Sequence, residues 1–185
     1  MDRIKETANL VKSLNHVRSG DLPDYEFINV LSPLDMIIHS ATHLFHEGEF
    51  DHGFRDLTDL SLLLTEFYNL DDFWDKLLRR AKELKQEIPL YYALRYTHEI
   101  LKTNIPKSVL IITNQWLPGT FNKVMMDWLF YRALMPAHES CTDKWTDLAR
   151  WFLYIRSHWL KMPVHLLVPH LCRKSWLRLI GEKEH

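Results

Sequence analysis

"VLSPLDMIIHSATHLFHEGEFDHGFRDLTDLSLLL", Val30 to Leu64, carries the start, stop and period signals of two consecutive helices. Ser32 stands where a helix N-cap is needed. Pro33 fits the first helical position, where no N–H bond is lost, and Asp35 falls where a carboxylate meets the positive helix end. The pattern predicts a helix from there to about Glu47, stopping at Gly48. Leu57, Leu60, Leu64 and Phe67 then recur at helical spacing until "NLDD". The short link between the two makes them an antiparallel pair.

Working outward, Ile4, Ala8, Val11 and Leu14 mark a first helix ending near Ser19-Gly20. Later helices are predicted from Asp72 to Lys85, Pro89 to Lys102, Lys107 to Gln115, Phe121 to Leu134, Asp143 to Lys161 and Pro163 to about Ile180. Pro169 is placed to kink the last of these. "EFINVL" at 26–31 is the one stretch short and branched enough for a strand, and the chain offers it no partner strand. The expected fold is mainly α, a compact bundle of seven to eight helices with one candidate strand near residues 26–31.

A chain of 185 residues is the length of one helical domain, taken as residues 1–185. Its 46% hydrophobic and 12% aromatic content, with five Gly, excludes a disordered chain and a fold of many tight turns. No run of eighteen uncharged apolar residues and no leader-like opening supports a membrane span or secretion. Cys141 and Cys172 lie far apart and form no C-x-x-C pair, so a reduced, cytoplasmic protein is expected.

The net charge of −1 conceals an uneven distribution. From Leu148 to Gly181 there is no Asp or Glu, while Arg150, Arg156, Lys161, Arg173, Lys174 and Arg178 give that stretch +6. Such a split points to an anionic partner or to neutralisation within the fold. Arg156, Lys161, Arg173 and Lys174 are the candidate anion-binding residues. Trp151, Trp159 and Trp176 alternate with these cations, and the reading given more weight has the tryptophans filling the core. The functional alternative is a phosphate-rich ligand, with nucleic acid the least favoured form of it.

Between His39 and Asp59 the chain packs four histidines and five acids around Arg55. His39, His43 and His46 share one helix face, and Arg55, Asp56 and Asp59 open the next helix. His39 and His43 with Asp56 or Asp59 would suit zinc or iron chemically. The structural reading outweighs it, because helical hairpins carry polar side chains outward and no H-E-x-x-H signature is present. Arg55 and Asp59 are spaced for an intrahelical ion pair, expected to be partly buried. His39, His43, Arg55, Asp56 and Asp59 therefore stand as a substrate-side or structural polar cluster, with no metal ligand and no catalytic residue assigned.

Other constellations are weaker. There is no phosphate-cradling Gly-rich loop, no G-x-S-x-G and no cysteine nucleophile signature. Arg132 and His138 in "RALMPAH" resemble the Arg and His pair of helical ribonucleases, but Pro136 breaks the helix between them. Asp71, Asp72 and Asp75 in "NLDDFWD" read as a helix start.

The Ser-Pro opening, the His-x-x-x-His helix of His39 and His43, "RDLTDL", and "YIRSHWLKMPVHLLVPHLCRKSW" with its Met-Pro and His-Leu-x-Arg-Lys elements occur in one order. Together, over about Asn29 to Trp176, they resemble the C-terminal half of the uncharacterised nucleotidyltransferase family. The resemblance implies an upstream core in which a Gly-Ser or Gly-Gly turn precedes an Asp-x-Asp pair holding Mg²⁺ and a nucleoside triphosphate. This chain has no Asp-x-Asp after such a turn, so no catalytic residue carries over. Two functions stay open at this point. One is the helical, substrate-side domain of a nucleotidyltransferase, paired with a core in cis or in trans and not catalytic alone, with Arg55, Asp59 and His43 in contact with substrate. The other is a non-catalytic helical module that binds a protein partner or an anionic ligand through its basic C-terminal tail.

Overall fold

The computed structural model describes residues 30–47, 50–117, 119–136 and 138–161. Within them lie seven helices and no strand: α1 Pro33–Glu47, α2 Gly53–Phe67, α3 Phe73–Glu83, α4 Glu87–Leu101, α5 Lys107–Asn114, α6 Thr120–Ala133 and α7 Thr146–Lys161. The expected mainly α fold is the one observed. Val30 and Leu31, the described end of the strand candidate, lead into α1 without strand structure. The rest of that candidate, the helices expected at Ile4–Leu14 and from Pro163, and Arg173 and Lys174 lie outside the described residues.

The cap of α1 forms as its residues dictate. The Ser32 hydroxyl donates to Asp35 Oδ2 at 2.8 Å and accepts the Asp35 N–H at 3.2 Å. Asp35 is buried, and its other oxygen accepts from Arg80 Nε of α3 at 2.8 Å. One carboxylate thus closes the helix end and ties α1 to α3. At the far end of the hairpin, a Cβ on Gly53 would stand 3.2 Å from Phe50 Cδ1 and 3.4 Å from the Ala133 carbonyl oxygen. Only glycine lets α2 start this close to the end of α6. The acids of "NLDDFWD" open α3 less simply than expected: Asp72 takes a left-handed conformation at φ 53° and its side chain makes no cap bond, while Asp75 lies in the first turn.

The centre of the molecule is made by α1 and α4. The first packs on α2, α3, α4 and α7, and the second on α1, α2, α3 and α5. Their shared core is aromatic: the Phe130 ring of α6 lies 4.8 Å from Tyr92, and 5.2 Å from both Phe45 and Tyr96. Each buried ring contributes about 2–3 kcal/mol through area, and paired rings add about 1 kcal/mol. Arg95 on α4 donates Nε and Nη2 to the two oxygens of Asp127 on α6 at 2.9 and 2.7 Å. The Tyr96 hydroxyl donates to the same carboxylate at 3.0 Å. A bidentate pair of this kind fixes the angle between helices as well as their contact.

Candidate functional site

The hairpin of α1 and α2 opens a groove of about 460 Å³ lined by His39, Ser40, His43, Asp51, His52, Arg55, Asp56 and Asp59. Helical spacing explains the convergence: His39 and His43 are one turn apart on α1, and Arg55, Asp56 and Asp59 occupy the first two turns of α2. The core sides of both helices are taken by Ile37, Ile38, Ala41, Leu44, Leu57, Leu60 and Leu64, all buried. The polar residues are what remains for the outside. Every residue of the cluster expected from the sequence lines this one groove, joined by Ser40, Asp51 and His52.

The expected ion pair is different from the one formed. Arg55 Nη2 meets Asp56 Oδ1, its sequence neighbour, at 3.4 Å, and Asp59 is exposed. Arg55 itself is 69% exposed. The exposed Arg55 end leaves the pair screened by water, so it is worth less than about 1 kcal/mol, and the partly buried Arg55–Asp59 bridge is corrected to a solvated groove wall. A spacing of one turn permits an Arg55–Asp59 pair without requiring it, and the exposed Arg55 side chain settles on its sequence neighbour instead. The His39 and His43 rings are 6.5 Å apart and tilted. Among the described residues no three His, Cys, Asp or Glu side chains are grouped to hold a metal ion.

Arg156, the anion-binding candidate on α7, occupies a contrasting place. Its guanidinium lies over the Tyr92 and Phe130 rings at 5.5 and 5.7 Å and donates to the Phe45 carbonyl at 2.9 Å, in the last turns of α1. Burial pushes its pKa down, opposed by the neighbouring Tyr92. A cation there meets the negative end of α1 and binds α7 to the centre of the fold. Arg156 is thus a packing residue rather than an open anion site. The backbone of α7 ends at Lys161, whose side chain lies outside the described residues, as do Arg173 and Lys174.

The remaining candidates serve the fold. Arg132 donates to Asp143 at 3.1 Å and stacks on Trp128 at 4.4 Å, while His138 bonds Ser140, so the two do not share a site. A smaller cleft of about 280 Å³ beside α4 and α5 includes Arg95 and His98. Both are engaged, Arg95 by Asp127 and His98 Nδ1 by the Thr103 carbonyl at 3.0 Å. Asp127 has no sequence signal as a partner, because it lies 32 residues from Arg95.

The polar groove of α1 and α2 and the two central helices fall within, or end at, the region a family model recognises. No curated protein and no solved structure matches the chain. The model of the uncharacterised nucleotidyltransferase family matches residues 5–102, which takes in the whole groove and ends one residue past α4. The stretch "YIRSHWLKMPVHLLVPHLCRKSW" lies beyond the matched residues. With more than half of its residues matched, the chain belongs to the uncharacterised nucleotidyltransferase family.

Proposed function

We propose that this chain is the helical, substrate-side domain of a nucleotidyltransferase and that the α1–α2 groove contacts the nucleotide or its acceptor. The observation that carries the reading is the convergence of His39, His43, Arg55, Asp56 and Asp59 in one open groove within the family-matched residues. Imidazoles and a guanidinium can donate to phosphate oxygens, and carboxylates can accept from sugar or acceptor hydroxyls. Arg55, Asp59 and His43 are the residues assigned to those contacts.

The side chains in hand do not fit a Mg²⁺–triphosphate centre. The sequence contains no Asp-x-Asp, and the groove acids do not form a metal-holding group. In this reading Mg²⁺ and the triphosphate belong to a catalytic core that joins the domain in cis or in trans, and no step of transfer is assigned to this chain. The isolated chain should therefore bind nucleotide weakly at the groove and transfer nothing. Titrating Mg²⁺-bound nucleoside triphosphates into isotope-labelled protein should shift the amide signals around His43, Arg55 and Asp59, and Arg55→Ala should weaken those shifts at least fivefold. Shifts confined to another surface, or nucleotidyl transfer by the isolated chain above a heat-killed control, would overturn the proposal. A second reading, a non-catalytic module that docks on a partner, is favoured by the exposed aromatic residues of α6 and α7.

A further inference from the structure

Among the described residues, α4 carries one buried side-chain polar atom without a partner. Tyr91 is 3% exposed, yet its hydroxyl makes no hydrogen bond. A buried group left in that state costs free energy that a bound ligand can recover. Burial raises the Tyr91 pKa, so the oxygen keeps its proton and remains a donor. Tyr91 lines the cleft of about 280 Å³ shared by α4 and α5, together with Arg95, His98, Glu99, Leu110 and Ile111. A cleft of that size takes a small molecule rather than a macromolecule.

Helical spacing sorts the polar groups of the cleft by their chemistry. Tyr91, Arg95 and Glu99 follow one another at intervals of one turn, and His98 lies beside Glu99, so all four share a face of α4. Asp127 takes the Nε and Nη2 edge of Arg95, and Nη1 with its two N–H groups is the edge left over. The Thr103 carbonyl can only accept, so His98 Nδ1 carries the proton, and in the neutral ring Nε2 is an acceptor. Glu99 is exposed and adds carboxylate oxygens. Donors thus stand at Tyr91 and Arg95, and acceptors one turn further on at His98 and Glu99. On α5, Leu110 and Ile111 give the cleft an apolar wall. A simple anion would meet the Glu99 charge, and a simple cation would meet Arg95. A molecule that carries both charges close together, with an apolar side chain, answers every one of these groups.

We infer that the α4–α5 cleft binds a free α-amino acid with an aliphatic side chain. Its carboxylate accepts from the Tyr91 hydroxyl and Arg95 Nη1, its ammonium donates to Glu99 and His98 Nε2, and its side chain lies against Leu110 and Ile111. The inference is independent of the groove of α1 and α2.

Titration of L-leucine into the isotope-labelled full chain provides the test. The matched probes are L-leucinamide, which lacks the carboxylate, and 4-methylpentanoate, which lacks the amine. L-Leucine should shift the amide signals of Tyr91, His98 and Ile111, and each matched probe should bind about tenfold more weakly, the loss of one charge-assisted contact. Tyr91→Phe should keep the far-ultraviolet spectrum and the melting temperature, because the hydroxyl bonds nothing in the free protein, and should weaken leucine binding about fivefold. Glu99→Gln, at an exposed position, should keep the fold and weaken leucine binding about tenfold. Absence of shifts at millimolar leucine, or 4-methylpentanoate binding as tightly as leucine, would overturn the inference. So would undiminished leucine binding by Tyr91→Phe, or shifts confined to the α1–α2 groove.

Discussion

Arg55 and Arg156 are two guanidinium groups on helices that both pack against α1, and they do opposite things. Arg55 sits at the rim of the groove, 69% exposed, with a sequence-adjacent carboxylate as its ion-pair partner. Arg156 reaches inward over two core rings and bonds a carbonyl near the end of α1, and burial lowers its pKa. The difference teaches that polarity in this molecule is of two kinds. One kind, in the Asp35–Arg80 pair, the Arg95–Asp127–Tyr96 network and Arg156, sets how the helices join. The other, at the rim of the α1–α2 groove, is open to solvent, with Arg55 paired only to its sequence neighbour Asp56.

The sharpest way to break that division is at its buried side. Asp127→Ala leaves the Arg95 guanidinium and the Tyr96 hydroxyl without their shared acceptor, and should cost about 3 kcal/mol in chemical denaturation. A cost under about 1 kcal/mol would show that the α4–α6 network does not set the fold.

Alkaline pH probes the same region. Desolvation raises the Tyr96 pKa well above its ordinary 10.0, reinforced by the Asp127 charge, and burial also raises Tyr91 and Tyr92. A group whose folded pKa is raised keeps its full contribution below the unfolded value and loses it as pH climbs toward the folded one. The unfolded chain releases its tyrosine protons first, so stability should fall above pH 10 by about 1.4 kcal/mol per pH unit for Tyr96 alone. Tyr96→Phe should flatten that slope. A melting temperature that holds steady to pH 11 would contradict the burial of the ring cluster.

The smallest expected effect is in the groove. Asp59→Ala should change stability by less than about 0.5 kcal/mol, because the residue is exposed and Arg55 pairs elsewhere. A cost near 3 kcal/mol would restore the buried Arg55–Asp59 bridge that the spacing alone suggests.

Local signals were the legible ones. Ser32, Pro33 and Asp35 announce the start of α1 because capping is chemistry between residues three apart, and the structure makes those bonds. The leucine period of α2 likewise needs only neighbours, and the helix ends at Phe67 where that period ends. The groove was legible as a group of residues, since two helix faces joined by a short loop must converge. Its ion pairing was not, because i, i+4 spacing allows Arg55–Asp59 without requiring it. Asp127 and Arg80 were hidden for a different reason: their partners are 32 and 45 residues away, and nothing local marks a long-range pair. The outward stripe of α6 misleads by the same logic, since helical periodicity says that a face is apolar and not what covers it.

The central claim is that Arg156 builds the fold and Arg55 does not. Denaturant unfolding of Arg156→Ala and Arg55→Ala, measured side by side, tests it most directly. Loss of the ring contacts, the carbonyl bond and the packed stem should destabilise Arg156→Ala by about 3 kcal/mol, and Arg55→Ala should stay within about 0.5 kcal/mol of the parent. Equal costs, or a stable Arg156→Ala beside a crippled Arg55→Ala, would contradict the account.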